Sequence, residues 1–252
     1  MSSLIKHLKQ DSVRILEIGS WVGTSALTWS EAIYSFCPKG GSLLCVDPWK
    51  PYFTEQETRQ GDNYSGMQEA ADIGLAYELF LHNIKFAAPN VKISHIRSTL
   101  PECSDLLRQD GYDLIYIDGS HHYEDVLMDI THANMLLRPG GIMCGDDLEV
   151  QYGDCNQELA RSHPTTDWIH DPLTTGGYHP GVTTAVYDYF KSRVWSQFGT
   201  WAALKVDANT YAIPKWENGE GILPQHFPET AHIEAKKILS PPEPKTSFGN
   251  FY

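Results

Sequence analysis

The sequence predicts an α/β fold, a doubly wound, mostly parallel sheet of seven strands that ends in an antiparallel C-terminal hairpin. Three observations predict it. Five short apolar runs alternate with segments of helical period over residues 13–145. The runs are continuously apolar instead of alternating, as in strands covered on both faces. Right-handed crossovers between such strands build a doubly wound parallel sheet.

VRILEI at 13–18 is the first strand, and TSALTWSEAIYSF at 24–36 is the helix after it. Gly40-Gly41 breaks the chain before the second strand, SLLCV at 42–46. Residues 51–66 are polar, contain Gly61 and Gly66, and read as a loop or mobile cover. A helix follows over 68–87, with Leu75, Leu79, Ile84 and Phe86 on its apolar face. VKISHI at 91–96 is the third strand. Pro101, a good first-turn residue, opens a short helix over 101–109. DLIYI at 113–117 is the fourth strand. The helix over 123–137 is stopped by Arg138-Pro139-Gly140-Gly141, and GIMCG at 141–145 is the fifth strand.

Residues 150–180 are rich in Gly, Pro, Asp and Thr and read as a loop across the top of the sheet. A helix over 181–197 precedes ALKVD at 203–207 and TYAIPK at 210–215, a hairpin around Ala208-Asn209. The expected organisation is one catalytic domain over 1–215, with 51–66 and 150–180 as cover loops, and an extended Pro-rich arm over 216–252. Phe248, Phe251 and Tyr252 suit the arm to packing on a second copy, so a homo-oligomer is expected.

Of the 252 residues, 41% are apolar and 20% charged, a globular composition with material for a core. The net charge of −13 opposes binding to a nucleic-acid backbone, and no Lys/Arg cluster compensates. Five scattered cysteines without a CxxC pair fit neither a disulfide framework nor a zinc knuckle. MSSLIKHLKQDS is too polar for a signal peptide, and no apolar run approaches a membrane span. A soluble cytoplasmic protein acting on a small molecule is expected.

Ligands of doubly wound sheets bind outside the C-terminal strand ends, and Gly19, Asp47, Ser98, Asp118 and Asp146 all fall there. The first turn, EIGSWVGTS, sets Gly19 and Gly23 four residues apart between strand and helix. Glycine there lets a ligand approach the backbone, although a tight corner alone accounts for it equally. Trp21 stands where a dinucleotide fingerprint needs glycine, and Glu17 would repel a phosphate. Asp47 can accept the hydroxyls of a ribose, or cap the segment that Pro48 begins. Glu17, Gly19, Gly23 and Asp47 together suggest a nucleoside-bearing ligand without a diphosphate. S-adenosylmethionine fits.

Asp118, Asp146 and Asp147 follow the fourth and fifth strands, and His121 lies three residues past Asp118. Magnesium takes hard oxygen ligands and retains waters, so three carboxylates on adjacent strand ends suit it. Successive strand residues point oppositely, so Asp146 and Asp147 share an ion only if the strand has turned, as Gly145 allows. Metal coordination lowers the pKa of a hydroxyl, and a histidine can take its proton. His122 points elsewhere if the segment is extended. Capping by Asp118 and Asp147 is the plainer alternative. Glu124, Asp125 and Asp129 are assigned to the first turns and solvated face of the helix at 123–137. His179-Pro180-Gly181-Val182 is a candidate cover, and Tyr152, Asp154, His170 and Tyr178 are candidate substrate contacts. Trp49, Tyr52, Phe53 and Tyr64 are candidates to shield a ligand.

With VDPW, IDGSHHYEDVLMDI, LLRPGG and GDD in this order, the chain resembles the class I S-adenosylmethionine-dependent methyltransferases. More narrowly it resembles the branch of macrocin- and mycinamicin-type sugar O-methyltransferases and cephalosporin-hydroxylase-like proteins. The resemblance covers roughly residues 13–215 and implies the Rossmann-like methyltransferase fold. It implies cofactor contacts from Glu17, Gly19, Ser20, Gly23 and Asp47, with Ser98 near the adenine. It also implies magnesium on Asp118, Asp146 and Asp147, and His121 as base. The acidic pair is Asp-Asp here where relatives can have Glu-Asp. The expected activity is magnesium-dependent O-methylation of a hydroxyl on a small diol or sugar, in natural product biosynthesis. The alternatives are a hydroxylase-like enzyme on the same scaffold, or a non-catalytic binding protein that kept the fold.

Overall fold

The structure, a computed structural model, describes residues 1–59 and 62–215 together with positions 230 and 233. The arm at 216–252 and its aromatic residues therefore lie, those two positions apart, outside the described residues.

A short helix α1 (Ser2–Leu8) leads into β1 (Val13–Ile18), α2 (Thr24–Phe36) and β2 (Gly41–Val46). Helices α3 (Glu55–Thr58), α4 (Asp62–Asp72) and α5 (Leu75–Asn83) precede β3 (Val91–Ile96), α6 (Leu100–Cys103) and β4 (Tyr112–Ile117). Then come α7 (Tyr123–Leu136), β5 (Leu137–Gly145), α8 (Gln157–Arg161), β6 (Ile169–His170), β7 (Gly177–Tyr178) and α9 (Pro180–Phe190). The chain continues through β8 (Trp195–Gln197), β9 (Thr200–Lys205) and β10 (Tyr211–Ala212).

Seven strands lie in the order β10-β9-β5-β4-β1-β2-β3, with β1 to β5 parallel and β9 antiparallel to β5. The expected hairpin is present as β9 and β10. An eighth strand, β8, pairs with residues 200–202 of β9, beside the stretch that β10 takes. Chain order reverses between β1 and β4, which creates a crevice above their C-terminal ends.

The continuous apolar runs have a physical cause. Ile15, Leu43, Leu114, Tyr116 and Ile142 pack on one face of the sheet against Trp29 and Ile33 of α2 and Phe80 of α5. Leu16, Ile18, Ile115, Ile117 and Met143 pack on the other against Val126 and Ile130 of α7 and Val182 and Val186 of α9. Each aliphatic side chain so buried contributes about 1.5–3 kcal/mol.

Several expectations change, and the helix expected over 181–197 ends at Phe190, with Trp195–Gln197 forming β8. Residues 51–66 are not plain loop: Thr54 and Glu57 form a reciprocal capping box that starts α3, and α4 begins at Asp62. The helix expected over 68–87 is broken at Gly74, whose φ of 76° starts α5 afresh. Residues 150–180 carry α8 and the two-stranded β6–β7 sheet in place of a structureless crossing.

Candidate active site

A cavity of about 1130 Å³ opens above the crevice. Its wall combines the first turn, the ends of β2 to β5 and the start of α7. Gly19, Ser20, Asp47, Ser98, Asp118, His121, Asp146 and Asp147 line it. Glu17 and Gly23 do not line it. Glu17 is fully buried behind the turn. Gly23 heads α2 with a φ of 86°, and a side chain there would meet Phe80 in the core.

The first turn is held by carboxylates. Asp47 accepts backbone N–H bonds from Ser20 and Trp21 at 2.9 Å through one oxygen, and from Trp49 at 2.5 Å through the other. A carboxylate offers about four acceptor positions, so Asp47 orders the turn and still has room for a hydroxyl. Burial nonetheless raises its pKa against those three bonds. Glu17 accepts from the Ser20 hydroxyl at 2.6 Å, while its Oε1 is buried without a partner. Burial pushes Glu17 up to about 7. Gly19 has a φ of 79°, and a Cβ there would overlap the Asp118 carbonyl. Glycine at this position therefore lets the turns after β1 and β4 touch.

The acidic groups follow β4 and β5. The Tyr116 hydroxyl donates to Asp118 at 3.1 Å and to Asp146 at 3.4 Å, so the two carboxylates share one donor. Thr200 donates to the other oxygen of Asp146. The β5 strand ends at Gly145, and Asp147 takes a φ of 65°. Asp146 and Asp147 both line the cavity past that turn. Burial, then the charges of Asp147 and Asp146, push Asp118 up to about 8. Asp118, Asp146 and Asp147 all line the cavity and offer hard oxygens, whereas among the described residues the ligand atoms found within 4.8 Å of one another are those of His121, Asp147 and His179.

His121 sits between two carboxylates. Its Nδ1 meets Asp167 at 2.5 Å and its Nε2 meets Asp147 at 3.0 Å. Burial lowers the pKa of His121, but the bonds to Asp147 and Asp167 outweigh it and push it up to about 10. His122 turns away, as expected for adjacent residues, toward Glu57 at 3.7 Å and the Tyr52 ring. Neither Asp118 nor Asp147 caps a helix: His122 is the N-cap of α7 and makes no side-chain cap.

Several residues of this site were not singled out as such by sequence. Asp167 joins His121 to the cover, accepting from the Tyr64 hydroxyl at 2.6 Å while its backbone N–H donates to Glu57. His179, anticipated only as part of a cover, lies with its ring 4.4 Å from that of His121. Asp129, expected on a solvated helix face, is 8% exposed and lines the cavity. Its place three residues past Val126 puts it on the buried stripe of α7, a helical-period signal present in the sequence. Glu124 and Asp125 do occupy the first turn of α7.

The candidate substrate contacts beyond residue 150 lie off the cavity wall. Tyr152 stacks on Tyr187, Asp154 pairs with Arg193, His170 is exposed, and Tyr178 is buried in a small core beneath β7. Trp49 and Tyr52 do line the cavity, and Trp49 packs against Tyr77 and Phe80.

A family described as "Methyltransferase domain" matches residues 16–148. A 143-residue stretch is 27% identical to the uncharacterized protein y4gI of Sinorhizobium fredii, covering 55% of this chain. The chain spans only 13% of that relative's length. Among solved structures, the O-methyltransferase TomG of Streptomyces achromogenes, in complex with SAM, is 16% identical with a TM-score of 0.37. That likeness covers 81% of this chain and 79% of TomG. The MycE methyltransferase of the mycinamycin pathway, in complex with Mg and SAH, is 16% identical with a TM-score of 0.45. It covers 84% of this chain and 50% of MycE. A SAM-dependent methyltransferase of Methanosarcina mazei is 14% identical, with a TM-score of 0.43, over 80% of this chain and 96% of that one.

Proposed function

The chain belongs to the methyltransferase-domain family, and from that premise we propose that it is an S-adenosylmethionine-dependent, magnesium-dependent O-methyltransferase. The acceptor is a hydroxyl of a small-molecule diol or sugar, in natural product biosynthesis. One observation carries the reading. A single cavity is lined both by the glycine turn with Asp47 and Ser98 and by Asp118, Asp146, Asp147 and His121.

Asp118, Asp146 and Asp147 would hold the cation, which when bound lowers the pKa of a coordinated hydroxyl. The cofactor, when bound against the first turn, supplies a methyl on sulfur. His121 receives the hydroxyl proton at Nε2. Asp167 holds Nδ1 and thereby turns Nε2 to the cavity, so Asp167 is a positioning residue. The pKa of about 10 for His121 arises from uncompensated carboxylates on both sides. Compensating Asp147 brings that pKa down toward the range where an imidazole works as a base.

The net charge of −13 favours a small ligand over nucleic acid as partner. No helix among the described residues is long and apolar enough to cross a membrane, and a cytoplasmic location is part of the proposal, as is self-association through the arm.

The test is calorimetric titration of metal-stripped protein with S-adenosylmethionine, without and with magnesium, followed by a methyl-transfer screen of diols and sugars. One-to-one cofactor binding and magnesium-dependent transfer support the reading. No cofactor binding in either condition overturns it.

A further inference from the structure

His121, His179 and Asp147 bring one ligand atom each within 4.8 Å of one another. The contacts are directional. His121 Nε2 lies 3.0 Å from Asp147 Oδ2, and His179 Nδ1 lies 3.7 Å from Asp147 Oδ1. Glu149 Oε1 approaches the same His179 nitrogen at 3.1 Å. Two imidazole nitrogens and the Asp147 carboxylate thus point at one space, with Glu149 beside His179. We propose that this cluster is a binding site for a borderline transition metal such as zinc, sharing Asp147 with the all-oxygen set of Asp118, Asp146 and Asp147.

Three features support a built site. The first is the second nitrogen of each ring. Asp167 meets His121 Nδ1 at 2.5 Å and lies 3.8 Å from His179 Nε2. One carboxylate therefore stands behind both imidazoles and leaves the opposite nitrogens to face Asp147. That is the outer arrangement that fixes tautomer and orientation around metal-binding histidines. The second is rigidity. His179 is the N-cap of α9, its ring is braced by Trp168, and its backbone N–H donates to Glu149. The third is spacing. Neighbouring ligand atoms around a tetrahedral zinc ion with bonds of about 2.0–2.1 Å lie roughly 3.4 Å apart. The ligand atoms lie within 4.8 Å of one another, so contraction by at most about 1.4 Å closes the widest pair.

Donor chemistry separates the two sites. Imidazole suits zinc, nickel and copper, while magnesium takes oxygen ligands. Asp147 belongs to both sets. A zinc ion held here occupies His121 Nε2, the nitrogen assigned above as the base, and withdraws Asp147 from the oxygen set. The site is therefore inhibitory to methyl transfer. That consequence rests on the proposed function, whereas zinc binding does not.

The experiment is zinc titration of the metal-stripped full chain against a competing fluorescent chelator, with wild type, His179→Gln and Glu149→Gln. The expected result is one-to-one binding in the wild type, weakened at least about ten-fold by His179→Gln, with S-adenosylmethionine affinity unchanged. Glu149→Gln is expected to weaken zinc binding less. Zinc X-ray absorption on the wild type, which needs no variant to fold, is expected to show two imidazoles in the metal shell. Equal zinc affinity in wild type and His179→Gln, or a shell of oxygens alone, overturns the proposal. Zinc binding without any methyl transfer leaves this site standing and removes only the proposed reaction.

Discussion

Asp167 and His121 meet at 2.5 Å across 46 residues of sequence, and their pairing turns the other imidazole nitrogen to Asp147 at 3.0 Å. The pairing ties the turn after β4 to the segment between α8 and β6. That segment in turn holds α3 through Glu57 and α4 through Tyr64. The orientation of the His121 ring and the seating of α3 and α4 are thus properties of one carboxylate.

Asp167→Asn is expected to lower turnover about 10–100-fold while leaving cofactor affinity unchanged, because it orients and does not touch substrate. In metal-free protein the His121 ring should titrate near 10 in the wild type and lower in Asp167→Asn, with Asp167→Glu restoring part of the shift. Proton resonances of the ring report this directly. A wild-type His121 that titrates at the ordinary imidazole value would show that the pairing does not form in solution.

His121→Ala is expected to lose about 10²–10⁴-fold in turnover, the usual share of a general base. Asp118→Asn is expected to lose magnesium binding, with both variants keeping the wild-type circular dichroism. Treatment with a chelator should abolish turnover, and added magnesium should restore it. Normal turnover in purified Asp118→Asn would remove the metal assignment.

Asp129 makes stability depend on pH. Burial, then the charge of Asp125, raises its pKa from 3.8 to about 7 in the folded chain. The sign follows from linkage. A carboxyl raised on folding stabilises below its unfolded pKa, and that contribution is lost as pH rises through the folded value. About 1 kcal/mol of the loss falls between roughly pH 6 and pH 8.5. Asp129→Asn should therefore melt higher than wild type at alkaline pH, with the gap narrowing toward pH 6. A gap that does not change with pH would contradict the assignment.

Gly181 packs the start of α9 onto the backbone of His121. A Cβ there would overlap the His121 carbonyl and press on the backbone of Tyr123. Gly181→Ala should destabilise the protein by about 1–3 kcal/mol, the usual cost of overpacking. It should also lower turnover more than cofactor affinity, because the strain falls on His121 and not on the first turn. Denaturant unfolding with parallel kinetics checks both. An unchanged midpoint would show that α9 moves freely.

The central strands were legible because each is buried on both faces, which leaves a continuous apolar run that needs no knowledge of partners. The strand ends were legible for the same reason: the first polar residue after each run must surface. That placed Asp47, Asp118 and Asp146 at one edge before any contact was known. The helix stop at Gly74 was present in the sequence, but the apolar positions on both sides kept the period and hid the break. Asp129 was misplaced because an acid early in a helix usually faces water, and only the cavity beside α7 gives it another environment.

What the sequence by itself determined is the order of strands and helices and the chemistry offered at the C-terminal edge. Those are consequences of local period and of where apolar runs end. The tertiary structure alone decided which distant groups meet: Asp167 behind His121, His179 beside it, Tyr116 between Asp118 and Asp146. Such meetings depend on how segments without strong period cross the sheet. Local spacing does not encode that crossing, and the packing of α9 on the turn after β4 does.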